Sequence, residues 1–252
     1  MMSYSFRTSG WPERLWRNNN RPDIARGNVP GAYPYSTFGE FISSGAVANG
    51  IVWETGMPTT FTVPNNIQLT VVSTSASDTG DIGIRYLDGD LVERTETLTL
   101  TGTTPVTTVA TDIRAINNAY SKSGPLVGNV TMTSGGTTYA RIPAGDVQFN
   151  TSFQRVPAGK RLMITTIYAG STSSTADAKA FVKLETSFIN GDSFADQGWF
   201  HPLGGVALQN NTSTFPDFGP FPIAAGEWVG FTFKCDKAVD VTAGFFGWME
   251  DE

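Results

Sequence analysis

One short phrase, repeated three times, limits what this chain can fold into. Ile142-Pro143-Ala144-Gly145, Val156-Pro157-Ala158-Gly159 and the variant Phe221-Pro222-Ile223-Ala224-Ala225-Gly226 each stand just before an apolar run, at 147–149, 162–168 and 228–233. Proline presets φ and glycine accepts the left-handed conformation, so the phrase predicts a tight corner that feeds a strand. Corners at such intervals predict a β-sandwich or a jelly roll.

The runs between corners carry the matching period. Ile67-Gln68-Leu69-Thr70-Val71 and Ile82-Gly83-Ile84-Arg85-Tyr86 alternate, and Thr97-Leu98-Thr99-Leu100-Thr101 gives leucine to one face and threonine to the other. A period of two marks a half-buried strand, and threonine's branched β-carbon suits the exposed face of a pleated sheet. Asp88-Gly89 is a hairpin signal. With Asp88-Gly89-Asp90 as the loop and the glycine left-handed, Leu87 faces Leu91 and Arg85 faces Glu93 as a cross-strand ion pair. Residues 106–110, 129–133, 178–188 and 239–248 read as further strands. Residues 112–120 suit a strand or a short helix, and the flanking strands favour the strand. Nothing between Ile51 and Trp248 demands a long helix.

The first 47 residues differ. Pro12, Pro22, Pro30 and Pro34 interrupt them, and no period of 2 or 3.6 is sustained, which suits an extended segment. The same segment holds Tyr4, Phe6, Trp11, Trp16, Tyr33, Tyr35, Phe38 and Phe41. Residues 1–28 carry five arginines against Glu13 and Asp23, a balance of +3, so the formal charge of −6 leaves the rest of the chain at −9. An arm rich in tryptophan and arginine has the composition of a segment that orders on a partner. Folding back on its own domain is the other reading. Arg7, Trp11, Arg14, Trp16, Arg17, Arg21 and Arg26 are the candidate docking residues.

A second boundary is expected near Ser134-Gly135-Gly136. The expected architecture is all-β, with an extended arm over 1–47, a first β-sandwich module over 48–135 and a second, jelly-roll-like sandwich over 136–252. Val63-Pro64 followed by Leu69 and Val71 has the spacing of Val156-Pro157 followed by Leu162 and Ile164. Duplication of one module would produce this echo, as would coincidence in a chain rich in Val-Pro corners.

Catalysis needs convergent titratable groups, and the sequence offers few. It has one histidine, His201, and one cysteine, Cys235, which argues against a disulfide framework and against a histidine-based metal site within one chain. There is no nucleophile elbow, no phosphate-binding loop and no dinucleotide fingerprint. His201 lies among aromatic residues before a proline and reads as a buried or interface histidine. Cys235 reads as a small apolar filler in a strand. Glu93 and Glu96 are three apart, hence on opposite faces of one strand, and Asp88 and Asp90 read as hairpin residues rather than a glycosidase pair. Asp78, Asp81, Asp88 and Asp90 lack the spacing of a calcium loop. No cofactor or metal is expected. Trp53 and Trp199 are the candidates for a sugar-stacking platform, against the alternative that each anchors a sheet or an interface. An acidic body repels phosphates, so nucleic acid is not the expected partner. No apolar stretch has the length of a membrane span or the form of a signal peptide, so a soluble protein made in a cytosol is expected.

Four stretches carry a resemblance to a known group. They are Val72-Ser73-Thr74-Ser75-Ala76-Ser77-Asp78-Thr79, the phrase from Glu96 to Thr108, Val156-Pro157-Ala158-Gly159-Lys160-Arg161-Leu162, and Ala243-Gly244-Phe245-Phe246-Gly247-Trp248. In wording and order, over about residues 50–250, the chain resembles virion structural proteins of tailed bacteriophages. The resemblance carries no catalytic signature. It implies a non-enzymatic component of a phage particle, made in the host cytoplasm and carried on the virion, most simply a capsid decoration or cement protein anchored by its arm. The implied partners are other virion proteins, the major capsid protein first and tail or portal proteins second, and copies of itself in a trimer or hexamer. A tail-associated adaptor, collar or fibre role and a host receptor or glycan-binding role remain as alternatives.

Overall fold

The structure, a computed structural model, describes residues 21–58, 61–187, 201–215 and 217–252. The chain is all-β: eighteen strands and one short helix, Arg21–Ala25, are found among the described residues. Every strand pairing is antiparallel.

The corner phrases are the clearest link from sequence to local structure. Gly145, Gly159 and Gly226 all have positive φ, 89°, 68° and 81°. In each corner an N–H three residues on returns to a carbonyl: Asp146 to Pro143, Lys160 to Pro157 and Glu227 to Ala224, all at 3.2 Å. Glycine at the third position is what such a turn requires, since a side chain there would be strained.

Two of these corners open strands of a jelly roll, at 160–172 and 228–235. One sheet consists of β1 (Ala32–Ser36) and β2 (Gly39–Ile42) end to end along β18 (Asp240–Asp251), then β12 (Lys160–Thr172), then β15 (Thr212–Thr214) and β16 (Asp217–Ile223) end to end. The facing sheet has β3 (Val47–Ile51) and β11 (Gln154–Arg155) along β17 (Trp228–Cys235), then β13 (Lys179–Thr186), then β14 (His201–Gln209). Each sheet is thus four strands wide. The first strand segment neighbours the last, and with end-to-end segments taken together the chain changes sheet at every step except from β13 to β14, as in a jelly roll. Their inner faces interdigitate: Val241, Ala243 and Phe245 with Leu162, Ile164 and Ile167 on one side, Val182, Val229, Phe231 and Phe233 on the other, all 1% exposed or less. Phe41 packs on Phe233 across the gap, ring centres 5.2 Å apart.

The smaller unit is inserted between β3 and β11. Its sheets are β10–β9–β4–β7 (Thr137–Ile142, Val130–Ser134, Thr70–Ser73, Val106–Thr107) and β6–β5–β8 (Glu93–Thr99, Asp81–Leu87, Ala115–Ser121). Residues 112–120 are largely strand, as expected. The tandem order expected from the sequence is corrected in two places. Residues 32–47, expected as arm, and 48–51, expected in the first module, are instead the first strands of the C-terminal jelly roll, because their partners are β17 and β18. The boundary at 135/136 is the turn of a hairpin, β9 paired with β10, so the inserted unit runs on past it. The Val-Pro echo does not mark equivalent strands: it leads into the four-residue β4 in one case and the thirteen-residue β12 in the other. The hairpin register also differs from the expectation. Leu87 pairs with Glu93, and Leu91 (φ 61°) rather than Gly89 takes the left-handed position. Arg85 still meets Glu93, diagonally, at 3.6 Å.

A buried polar seam holds the two units together. Asn117 of β8 donates to the Arg155 carbonyl at 2.9 Å and accepts the Arg155 N–H at 3.0 Å, while Gln154 donates to the Asn117 carbonyl at 2.9 Å. The Arg155 guanidinium, 2% exposed, donates to the Gly226 carbonyl at 3.0 Å and lies 5.7 Å from the centre of the Trp228 ring. Tyr35 of β1 donates to Gln154, so the first strand also joins the seam. The hairpin tip contributes as well, because the Ala158 N–H of a corner bonds the Leu91 carbonyl at 2.9 Å.

The two connections of the insert lie side by side. Trp53 bridges Thr151, the Ser152 N–H bonds the Val52 carbonyl at 3.1 Å, and the Asn150 amide donates to Glu54 at 3.2 Å. Burial pushes the Glu54 carboxyl up to about 7, the nearby Asp146 charge adds to this, and the Asn150 bond opposes it.

Two outcomes are expected. Asn117→Ala strands two buried backbone groups, and urea unfolding should show a loss of about 3 kcal/mol. Glu54 in the folded protein keeps its proton where the unfolded chain, near 4.5, has lost it, so this contribution is full below pH 4.5 and disappears as pH rises through about 7. Glu54→Gln should match the parent in urea midpoint at pH 4.5 and exceed it at about pH 8.

Candidate functional site

The expected docking residues fall mostly outside the described part of the chain. Arg7, Trp11, Arg14, Trp16 and Arg17 lie there, as does Trp199. Arg21 is the first residue of the short helix, and Arg26 is exposed beside Asp23, 4.0 Å away. That helix seats Ile24, 2% exposed, on Met163 and Trp248 on the outer face of the β12–β18 sheet.

Trp53 corrects the expectation of a sugar platform. It is 3% exposed, packed against Phe61 at 5.6 Å and Phe153 at 6.5 Å, and its indole N–H donates to the Pro58 carbonyl at 3.1 Å. Phe61 in turn meets Trp228 edge-on at 4.8 Å. This aromatic box fills the junction between insert and jelly roll, and Gly230 lies directly under the Phe153 ring. No indole face is left for a ligand.

The carboxylates that could suggest chemistry have structural work. Asp88 accepts the N–H groups of Asp90 and Val92 at 3.0 and 2.9 Å and pairs with Arg94 at 2.8 Å. Burial alone would raise its carboxyl, but these partners outweigh it and hold it below the usual range. Asp78 is opposed by burial in the same way and kept low by the Ser73 hydroxyl and the N–H groups of Val127 and Gly128, at 2.5 to 2.9 Å. Glu96 accepts from the Val109 and Ala110 N–H groups, facing away from Glu93. Cys235 is buried against Ser43 and Gly45. Among the described residues no cluster of histidine, cysteine and carboxylates could hold a metal, and no helix is long and apolar enough to cross a membrane.

What the surface does offer is an aromatic strip beside the helix. Tyr168 of β12 lies over Gly244 and donates to the Thr37 carbonyl at 2.6 Å. Around it stand Phe38 at 6.2 Å, Phe246 at 5.4 Å and Phe215 at 6.2 Å. Phe38, Phe246 and Phe215 are 42, 45 and 63% exposed, which is unusual for phenylalanines that touch a common ring. At the helix end the strip opens into a cleft of about 290 Å³ lined by Ile24, Ala25, Pro34, Phe246 and Trp248. At the other end, Glu40 and Thr242 pair across the strands, with Asp240 two residues beyond. Their neighbours Phe41 and Val241 point inward, so these polar residues lie on the outer face. Sequence reasoning missed the strip. Its one local signal is Phe245-Phe246 in a strand, which must send one ring to each face.

If Trp53 is a junction anchor, Trp53→Ala should lower stability by about 3 to 5 kcal/mol in thermal or urea unfolding. A ligand-facing tryptophan would leave stability nearly unchanged.

No protein-family model matches the chain, and no curated protein matches its sequence. Among solved structures it is similar to the cowpea mosaic virus top component, naturally occurring empty particles, at 9% identity over 77% of this chain and 85% of that one, with a TM-score of 0.25. It is also similar to infectious bursal disease virus, Gx strain, at 11% identity over 88% and 73%, with a TM-score of 0.23. Neither superposition is close enough to carry an argument.

Proposed function

We propose that this chain is a non-enzymatic structural protein of a phage particle, in its most direct form a capsid decoration or cement protein held to the shell by its N-terminal segment. One observation carries the docking part of this reading. Every described strand begins at or after Ala32, so the described sheets take no strand from residues 1–20. Those residues nevertheless carry Tyr4, Phe6, Trp11 and Trp16, and Arg7, Arg14 and Arg17 against Glu13. Residues of this kind dominate interface energetics. The particle itself is suggested by the phrases at 72–79, 96–108, 156–162 and 243–248 that resemble phage virion proteins.

The partners on this reading are the major capsid protein and further copies of the chain. A tail-associated role predicts about a dozen copies per particle where decoration predicts hundreds, a ratio that gel densitometry against the major capsid protein reads directly. Glycan or receptor binding has lost Trp53 and rests on Trp199 alone.

The fold also decides where the docking segment can be cut. Removing residues 1–40 would take away β1 and part of β2, and with them the edge that pairs with β18. Removing residues 1–20 should leave circular dichroism and the melting temperature essentially unchanged while abolishing co-sedimentation with particles. Undiminished co-sedimentation would overturn the reading.

A further inference from the structure

We propose that copies of this chain assemble head to tail, the aromatic strip on the β12–β18 sheet of one copy seated on the outer face of the β13–β17 sheet of the next. The inference goes beyond the particle reading and does not rest on it, because both faces belong to the isolated chain.

The two outer faces of the jelly roll differ in form and in charge. On the β12–β18 sheet, Phe38, Phe215 and Phe246 are joined by Ile42, 52% exposed and on the same side of β2 as Glu40. Nine large apolar side chains stand exposed among the described residues, and of the five on the jelly roll these are four. Grouped exposure of this kind marks a protein contact. Glu40 and Asp240 border the strip, and neither has an ion-pair partner among the described residues.

The other sheet answers with a hollow. Lys179, Phe181, Ala207, Gln209, Lys234 and Asp236 line a cleft of about 560 Å³. Phe181 stands between Lys234 and Ala207 in the register, and the Lys234 ammonium lies 5.6 Å from the centre of its ring. Lys179 and Lys234 also have no ion-pair partner among the described residues, while Asp236 accepts the Lys179 backbone N–H at 2.8 Å. A phenyl floor beside two lysines complements a row of rings beside two carboxylates.

Topology sets the opposite charges at one level. Residues 236–239 alone connect β17 to β18, so Lys234 and Asp240 stand at the same end of the jelly roll. Rotation about an axis along the strands therefore brings Glu40 and Asp240 of one copy against Lys179 and Lys234 of the next. A two-fold contact of the strip with itself would set carboxylates against carboxylates or against phenyl rings, and the strip holds no cation to meet them.

Sedimentation velocity on the full chain, over a range of concentrations, tests this without any particle. The parent should sediment as a species larger than the monomer. Glu40→Lys, Lys234→Glu and Phe246→Ser, each folded by circular dichroism, should each raise the concentration of half-assembly by about tenfold or more. An equal mixture of the two charge variants should recover assembly, because each then offers the other an opposite charge at both faces. A parent that stays monomeric at every concentration would overturn the proposal. So would assembly that none of the three substitutions weakens, or a mixture that assembles no better than its parts.

Discussion

Arg155 is where the parts of this protein meet. Its backbone is fixed from both sides by the Asn117 amide, its guanidinium bonds the carbonyl of the Gly226 corner, and its plane lies over Trp228. Asn117 belongs to the insert, Gly226 and Trp228 to the jelly roll, so one residue ties both. A guanidinium taken out of water must find donors' counterparts nearby, since a buried unsatisfied charge is far more costly than an exposed one. That requirement is directional in a way that apolar packing is not. The Asn117 bonds that carry the seam across to the insert are directional in the same way, while the Trp53, Phe61, Phe153 and Trp228 box supplies the buried area around them.

The local structure was legible in the sequence, and the long-range order was not. The three proline and glycine corners are turns with left-handed glycines, and alternating runs form strands with the anticipated faces: in β6, Leu98 inward and Thr97 and Thr99 outward. These properties depend on a residue and its near neighbours. Residues 32–47 were misread as arm because Ala-Tyr-Pro-Tyr-Ser and Gly-Glu-Phe-Ile are too short to show a period, and their partners lie some two hundred residues away, Ala32 opposite Glu250. Pro34 sits on an edge strand, the one place in a sheet where a missing N–H is tolerated. A proline that suggested an arm was marking an edge.

The candidate site shows the same division. Asp88 and Asp90 as hairpin residues and Cys235 as a buried filler followed from their immediate surroundings. Trp53 did not, since whether an indole is bare or covered depends on Phe61 and Phe153, which reach it from two other segments, and on Trp228, which packs on Phe61 from a third. The aromatic strip likewise assembles from four segments, at 38, 168, 215 and 246, and only the paired phenylalanines at 245 and 246 leave a trace in the sequence.

The adjacent connections of the insert bear on the order in which the chain can fold. Within the insert every strand pairs with a partner no more than about sixty residues distant, whereas β1, β2 and β3 have no sheet until β17 and β18 exist. On a ribosome the insert can therefore close first, and in closing it brings Val52 and Ser152 together. The hundred residues between them cease to be slack chain and become a rigid clasp. The closing entropy of the jelly roll falls accordingly, because its early and late strands are then joined by a short effective loop rather than a long one.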